Sequence, residues 1–333
     1  GALDRELTAA DKERLLEFLT DFGDLVKVGR DLRYTGSERR GYQTDPGVEP
    51  GTLLGPVPSL SQVLSLGLGR ALTVDASYAQ AMPMFQPVGG MDAITRALAR
   101  AVGEERIRLG HRVTKITNLS DGVEVVTDGA GGVQTHRADY CVATLPPHLL
   151  ARVESNLDAG VRTALSRAVP FSAGKIGLEY DRRWWELEDR IYGGSTETNL
   201  DIARIWYPSY GFHARRGLIV GYYNTGEDAD RYAALSHRER RDRALAQGAK
   251  IHGEKYRTGV LGSASVAWRR QPYLEGAWVS WSDPEAPRAL GEPAGRVYFA
   301  GDWLSQLNAW KAGALESARR TVTLLHRRVM SGS

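Results

Sequence analysis

The chain has 333 residues, 42% of them hydrophobic and 25% charged, with a net charge of +3. That length holds one large domain or two ordinary ones with a sizeable core, and so small a positive excess gives no support to a nucleic-acid partner. The single cysteine, Cys141, excludes an internal disulfide and a cysteine-only metal cluster, and no apolar run reaches the ~18 residues of a membrane helix.

Residues 8 to 27 read as a helix. Thr8 stands as its cap, Asp11 follows three residues later, and Leu15, Leu16, Phe18, Leu19 and Phe22 make an apolar stripe. Residues 30 to 58, rich in Gly, Pro and Arg, read as irregular connection, and residues 59 to 72 as a second helix. Met91, Ile94, Leu98 and Val102 restore helical spacing. Short strands follow around Val113 to Ile116 and Val123 to Val126, and the glycines from 129 to 132 turn the chain into another. "YCVATLP" is a buried strand stopped by Pro146, and Cys141 reads as one of its small apolar residues. Between 174 and 300, "GKIGLEYD", "ARIWYP", "GLIVGYY" and "ASVAWRR" read as strands of a mixed sheet, with a helix at 236 to 252. "VYFAG" is the last strand and 309 to 327 the last helix. The segments fall into 1–85 (helical), 86–152 (helix and β-meander), 153–290 (mixed sheet) and 291–333 (strand and helix), the parts of an α/β fold. The seven histidines show no metal-like spacing, and there is no G-x-S-x-G elbow. No G-x-G-x-x-G stands between a strand and a helix, since "GLGRAL" at 67 to 72 fails the spacing.

The stretch "RVYFAGDWLSQLNAWKAGALESARR" mixes tryptophans with small residues where a strand turns into a helix. A loop that approaches a flat ring closely has that composition. Together, "GGMDAITRALARA…RVTKI…ADYCVATLP" and "VYFAGDW…NAWKAGALESA" resemble the FAD-dependent amine-oxidase superfamily. The segment from "KIGLEYDRRWWE" to "GLIVGYYNTGEDADRYAAL" is more narrowly similar to L-amino-acid oxidases. The resemblance runs from about residue 80 to the C-terminus. It implies a Rossmann-like FAD-binding fold with a mixed-sheet substrate domain, and oxidative deamination of an L-amino acid to a 2-oxo acid, ammonia and hydrogen peroxide. In that family the glycine-rich strand and a carboxylate-gripping arginine precede the part matched here. This implies a cleaved precursor or a split gene, with a second chain completing the FAD site in a heteromer such as α2β2. Neither a nucleic acid nor a membrane is expected as partner, and the compartment stays open.

Roles follow residue by residue. Lys175 matches a lysine that holds a water near flavin N5, and desolvation can free such an amine of its charge. Tyr222 matches the tyrosine that donates to the substrate carboxylate. Tyr223 is expected on the opposite face of the strand, so only one of the two can do this. Trp268 and Tyr273 match aromatics near the flavin, and Trp278 a side-chain pocket wall. No cysteine stands where covalent-flavin relatives carry one, so the FAD is expected to be non-covalent. The Val113 main chain matches the group that bonds adenine. Gly301 and Asp302 match a Gly-Glu pair whose acid bonds the ribityl chain; Asp302 is one methylene shorter. Ala309, where glycine is usual, and Trp310 match the substrate cage. The backbone of Lys311 and Ala314 would face the flavin at a helix N-terminus, whose dipole favours the reduced ring's negative charge. Gln86 and Met84 are further pocket candidates. Three alternatives remain at this level: an amine or polyamine oxidase, a flavin-free assembly subunit, and a dehydrogenase that avoids O2.

Overall fold

The computed structural model describes residues 7–22, 25–29, 31–34, 41–57, 60–65 and 85–332. The chain divides into two compact units, Gly1–Ser77 and Tyr78–Ser333.

In the first unit, helix α1 (Ala9–Phe22) starts as its sequence dictates. The Thr8 hydroxyl accepts the Asp11 amide at 3.2 Å and the Asp11 carboxylate accepts the Thr8 amide at 3.1 Å, a reciprocal cap. Those bonds hold the Asp11 carboxyl below its usual range. The helix does not run to 27. Leu25–Val28 (β1) pairs antiparallel with Asp31–Tyr34 (β2), because Val26 and Val28 prefer extended backbone and Gly29, at φ 66°, takes the left-handed turn. Region 30–58, expected to be irregular, also carries β3 (Tyr42–Thr44) and β4 (Thr52–Leu53), paired with each other. Helix α2 (Leu60–Ser65) retains part of the helix expected at 59–72; Ser59, residues 66–72 and Met84 lie outside the described residues.

The second unit opens with α3 (Asp92–Val102) and the meander β5 (His111–Asn118), β6 (Val123–Gly129) and β7 (Gly132–Ala138). After β8 (Cys141–Ala143) and α4 (Pro147–Leu150), β9 (Glu154–Ser155) joins the meander in the order β7-β6-β5-β9. Next come α5 (Ala159–Ser166), β10 (Ala168–Phe171), β11 (Ala173–Tyr180), α6 (Trp184–Leu187), β12 (Ser195–Glu197), β13 (Arg204–Trp206) and β14 (Gly217–Thr225). The chain closes with α7 (Gly226–Ala233), α8 (His237–His252), β15 (Val260–Ala267), β16 (Trp278–Trp281), α9 (Ala286–Gly291), β17 (Val297–Phe299) and α10 (Lys311–Ser331).

Three arrangements position the site. β17 pairs parallel with β8, and β10 pairs antiparallel with β16. The antiparallel sheet β12-β13-β14-β11-β15 has two unlike faces. On β11, Ile176, Leu178 and Tyr180 are wholly buried, while Lys175 is exposed and Gly177 and Glu179 are half-buried, the period-two consequence of one face packing on a core. That core holds Trp184, Trp185, Tyr222 and Tyr256. A second core joins Ile116, Val123, Leu150, Leu165, Val297 and Phe299 beneath the parallel pair.

The last helix starts at Lys311, two residues later than its sequence indicated, and runs on to Ser331. Ser317 Oγ accepts the Gly301 amide at 3.1 Å, and Thr321 Oγ1 donates to the Phe299 carbonyl at 2.9 Å. A side chain at Gly313 would meet the Leu307 carbonyl oxygen at 2.2 Å, so only glycine allows that approach.

Candidate functional site

Parallel strands leave a crevice beyond their carboxyl ends, where α/β folds take ligands. Here β8 and β17 both end at a cavity of about 350 Å³, lined by Thr144, His148, Trp278, Gly301, Asp302 and Ala314 among others. Gly301 is obligatory in this turn: an added Cβ would lie 2.1 Å from the Trp303 indole nitrogen. The Asp302 carboxylate accepts the Ala309 amide at 2.8 Å and so closes the loop on itself. Ala309 sits at φ 68°, a left-handed conformation that costs a residue with a side chain about 1 kcal/mol. Trp310 then opens α10, and among the described residues no side chain caps that N-terminus. The positive end of the dipole therefore stands uncapped where Ala314 borders the cavity. Lys311 is turned elsewhere, its ammonium donating to the Met91 carbonyl at 2.7 Å.

His148 was singled out by no motif. Burial lowers its pKa and keeps the ring neutral. Nε2–H donates to the Leu274 carbonyl at 3.1 Å, which makes Nδ1 a lone-pair acceptor. That atom is buried and has no hydrogen-bond partner among the described residues.

A second cavity, of about 950 Å³, is lined by Val113, Thr114, Arg152, Tyr273 and Glu275 among others. Arg152 bonds Glu275 at 2.5 Å across it. Residues 144–153 and 273–279 supply lining residues to each cavity, though the two cavities share none. One is mainly apolar and meets a helix N-terminus; the other runs along the polar edge of the meander.

Of the residues expected near the substrate, Lys175 lies on the half-buried face of the large sheet. Lys175 stands opposite Tyr223 in the ladder, its ammonium 4.2 Å from the centre of that ring. Its stem reaches solvent, yet the protein packed around the ammonium pulls its pKa down by desolvation. Tyr222 is opposite Ile176 on the other face. It is 0% exposed, its ring 4.6 Å from that of Tyr232, and its hydroxyl is bonded to Ser265. The expectation that Tyr222 donates to the substrate carboxylate does not fit this burial: alternate residues of a strand face opposite ways, and it is Tyr223 that shares the face of Lys175. The dipeptide "YY" already allowed either choice; only the register decides it.

The expected residues separate into groups. Trp278, Gly301, Asp302 and Ala314 meet at the first cavity, and Val113 and Tyr273 at the second. Trp278 stacks on Phe171 at 4.9 Å. Lys175 follows Phe171 by four residues, about 13 Å of extended chain. Trp268 is half-exposed in the turn that ends β15. Ala309, Trp310 and Lys311 belong to the loop and helix start beside the first cavity without lining it, and Gln86 is exposed outside both. Among the described residues no His, Cys, Asp and Glu group could hold a metal.

The family of flavin containing amine oxidoreductases matches residues 13–326. A flavin-dependent L-tryptophan oxidase, RebO, of Lentzea aerocolonigenes is 31% identical over 244 residues, 70% of this chain and 51% of that protein. An L-amino-acid oxidase of Siganus canaliculatus is also 31% identical, over 73% of this chain and 47% of its own. The chain thus spans about half the length of these relatives. Among solved structures, a cyclohexylamine oxidase of Brevibacterium oxydans superposes with a TM-score of 0.64 at 20% identity, covering 73% of this chain and 53% of its own. A putrescine oxidase bound to putrescine gives 0.63 at 21%, covering 72% and 54%. At such identities the likeness is one of fold.

Proposed function

We propose a function from one premise: this chain belongs to the flavin-containing amine oxidoreductases. FAD is the cofactor of that family, and the residues present fit it. Apolar residues and Trp278 wall the first cavity, the α10 N-terminus borders it, and the Gly301–Asp302 turn lines it. Gly301, Asp302, Ala314 and Trp278 would hold the ring end, and Val113 and Tyr273 the far end in the second cavity. When bound, the flavin supplies a two-electron acceptor that O2 can reoxidise.

The reaction we propose is oxidative deamination of an L-amino acid: with water and O2 consumed, it yields a 2-oxo acid, ammonia and hydrogen peroxide. The observation that carries it is the pairing of Lys175 with Tyr223 on one sheet face. The Tyr223 hydroxyl donates to the substrate carboxylate without adding charge. Lys175 Nζ, its pKa lowered, holds a water and takes up a proton at a pH where an ordinary lysine is charged. Trp310 and the Ala309 carbonyl frame the substrate, and Trp278 limits its side chain. The L-amino-acid oxidases among the relatives support this reading.

The chain spans about half the length of the matched relatives, and the proposed FAD site takes its glycine-rich half from sequence outside these 333 residues, on the same polypeptide or on a companion. A denaturing gel and the intact mass of purified material test for that companion. A peroxide-coupled screen of the FAD-loaded protein against the proteinogenic L-amino acids tests the activity. Turnover of cyclohexylamine or putrescine with none of any amino acid would replace this reading with an amine oxidase. A protein that takes up no flavin would sink it.

A further inference from the structure

Strand β16 pairs with β10 in a sheet of two. Two side chains also tie it to the loop from 301 to 310. Asn308 Nδ2–H donates to the Val279 carbonyl at 2.6 Å, and Trp281 Nε1–H donates to the Trp303 carbonyl at 3.2 Å. Val279 is buried, and a buried carbonyl needs a donor. The residue opposite it on β10 is Pro170, which has no N–H to give. The Asn308 side chain supplies one. A carbonyl only accepts, so the amide stands with its nitrogen toward Val279.

The tie falls where the loop carries two costs to folding. Asn308 Oδ1 is buried and has no hydrogen-bond partner among the described residues, and Ala309 beside it holds φ 68°. Unsatisfied buried atoms and left-handed backbone at non-glycine residues collect where function demands them. The bond also joins two tryptophan neighbourhoods. Val279 directly follows Trp278, and Asn308 precedes Trp310 by two residues. Each end is firm. Trp278 stacks on Phe171 with ring centres 4.9 Å apart, and Asp302 accepts the Ala309 amide at 2.8 Å. The Asn308 bond therefore fixes how far the loop stands from β16.

Resting on the amino-acid reading above, we propose that Asn308 is a positioning residue that sets the width of the slot between Trp278 and Trp310, and so selects flat aromatic side chains over branched or saturated ones. The amide acts through the two walls rather than on the substrate. An aromatic ring is a thin slab, whereas a saturated ring or a branched chain is thicker. Without the bond the loop relaxes away from β16, and the slot admits the thicker groups.

The test uses the FAD-loaded protein. Steady-state kinetics compare L-phenylalanine with L-cyclohexylalanine and L-isoleucine. Titrations followed by flavin absorbance compare two unreactive acids, phenylacetate and cyclohexaneacetate. The wild type should prefer the flat member of each set. Asn308→Asp keeps the shape but sets an oxygen against the Val279 carbonyl. It should lower the flat-to-thick ratio of kcat/KM, and the matching ratio of binding constants, by about tenfold, acting through KM rather than kcat. Asn308→Gln keeps a donor and should recover part of the ratio. Trp281→Phe removes the second tie without touching Asn308 and should shift the ratio the same way; it serves if Asn308→Asp folds poorly. A role in stability alone would lower the urea midpoint and weaken flat and thick ligands alike. That result, an unchanged ratio in the variants, or a wild type without the preference would overturn the proposal. A wild type that oxidises no amino acid but keeps its preference for phenylacetate would instead overturn the reading it rests on.

Discussion

Tyr222 and Tyr223 are neighbours in the chain and strangers in the fold, and two conservative substitutions separate them. Tyr223→Phe should raise KM for an L-amino acid about tenfold with little change in kcat, since it removes one donor to a charged group. Tyr222→Phe should leave KM alone and lower the unfolding free energy by about 1 kcal/mol, because Ser265 loses a buried partner. Kinetics and urea melts of both variants check this. At Ala309 the backbone already adopts the conformation glycine prefers, so Ala309→Gly should stabilise the chain by about 1 kcal/mol, read as a higher urea midpoint. His252 gives a pH dependence. Burial lowers its pKa against the opposing pull of Asp189, whose carboxylate is 2.9 Å from Nδ1. Its folded pKa lies below the ordinary 6.5, so its contribution is complete above that value and is lost as pH falls from 6.5 toward the folded pKa, where the unfolded chain binds the extra proton. The urea midpoint should therefore drop between pH 7.5 and 5.5, and less steeply in His252→Asn.

At the scale of elements, the tail helix α10 and the strand β17 work as one piece. Their docking rests on Ser317 and Thr321 reaching back to the Gly301 amide and the Phe299 carbonyl, and on Gly313 leaving room for Leu307. Gly313→Ala should cost more than about 2 kcal/mol, because the clashing atom is backbone and cannot step aside cheaply. Ser317→Ala leaves an amide unpaired, should cost about 1–2 kcal/mol, and should speed loss of FAD on dilution, seen as a rise in flavin fluorescence. Much of this element was legible beforehand, since small residues at 301, 309 and 313 beside tryptophans signal a close approach. The start of the helix was displaced by two residues because the constraint there, the Asp302 bond to the Ala309 amide, is tertiary. The failed helix extension through residues 25–27 had a local cause: the apolar stripe continued, but Gly29 and the flanking valines favour a hairpin.

For the whole molecule, the cavity at the ends of the parallel strands, with the α10 N-terminus beside it, and the second cavity along the meander are the candidate places for FAD. FAD supplied at a hundred times its Kd should raise the unfolding free energy by about 2.7 kcal/mol, and apo-protein should lose that increment. The sequence by itself determined the fold class, the strand-and-helix alternation and the small-residue loop at 301–313, because those depend on side-chain period and on backbone sterics acting over a few residues. It carried the family in short local motifs for the same reason. Only the tertiary structure decided that Tyr223 and not Tyr222 joins Lys175 on one sheet face, and that His148 comes to line the first cavity. Strand register and the packing of distant segments set which way each side chain points, and neither leaves a mark on the residues considered one stretch at a time.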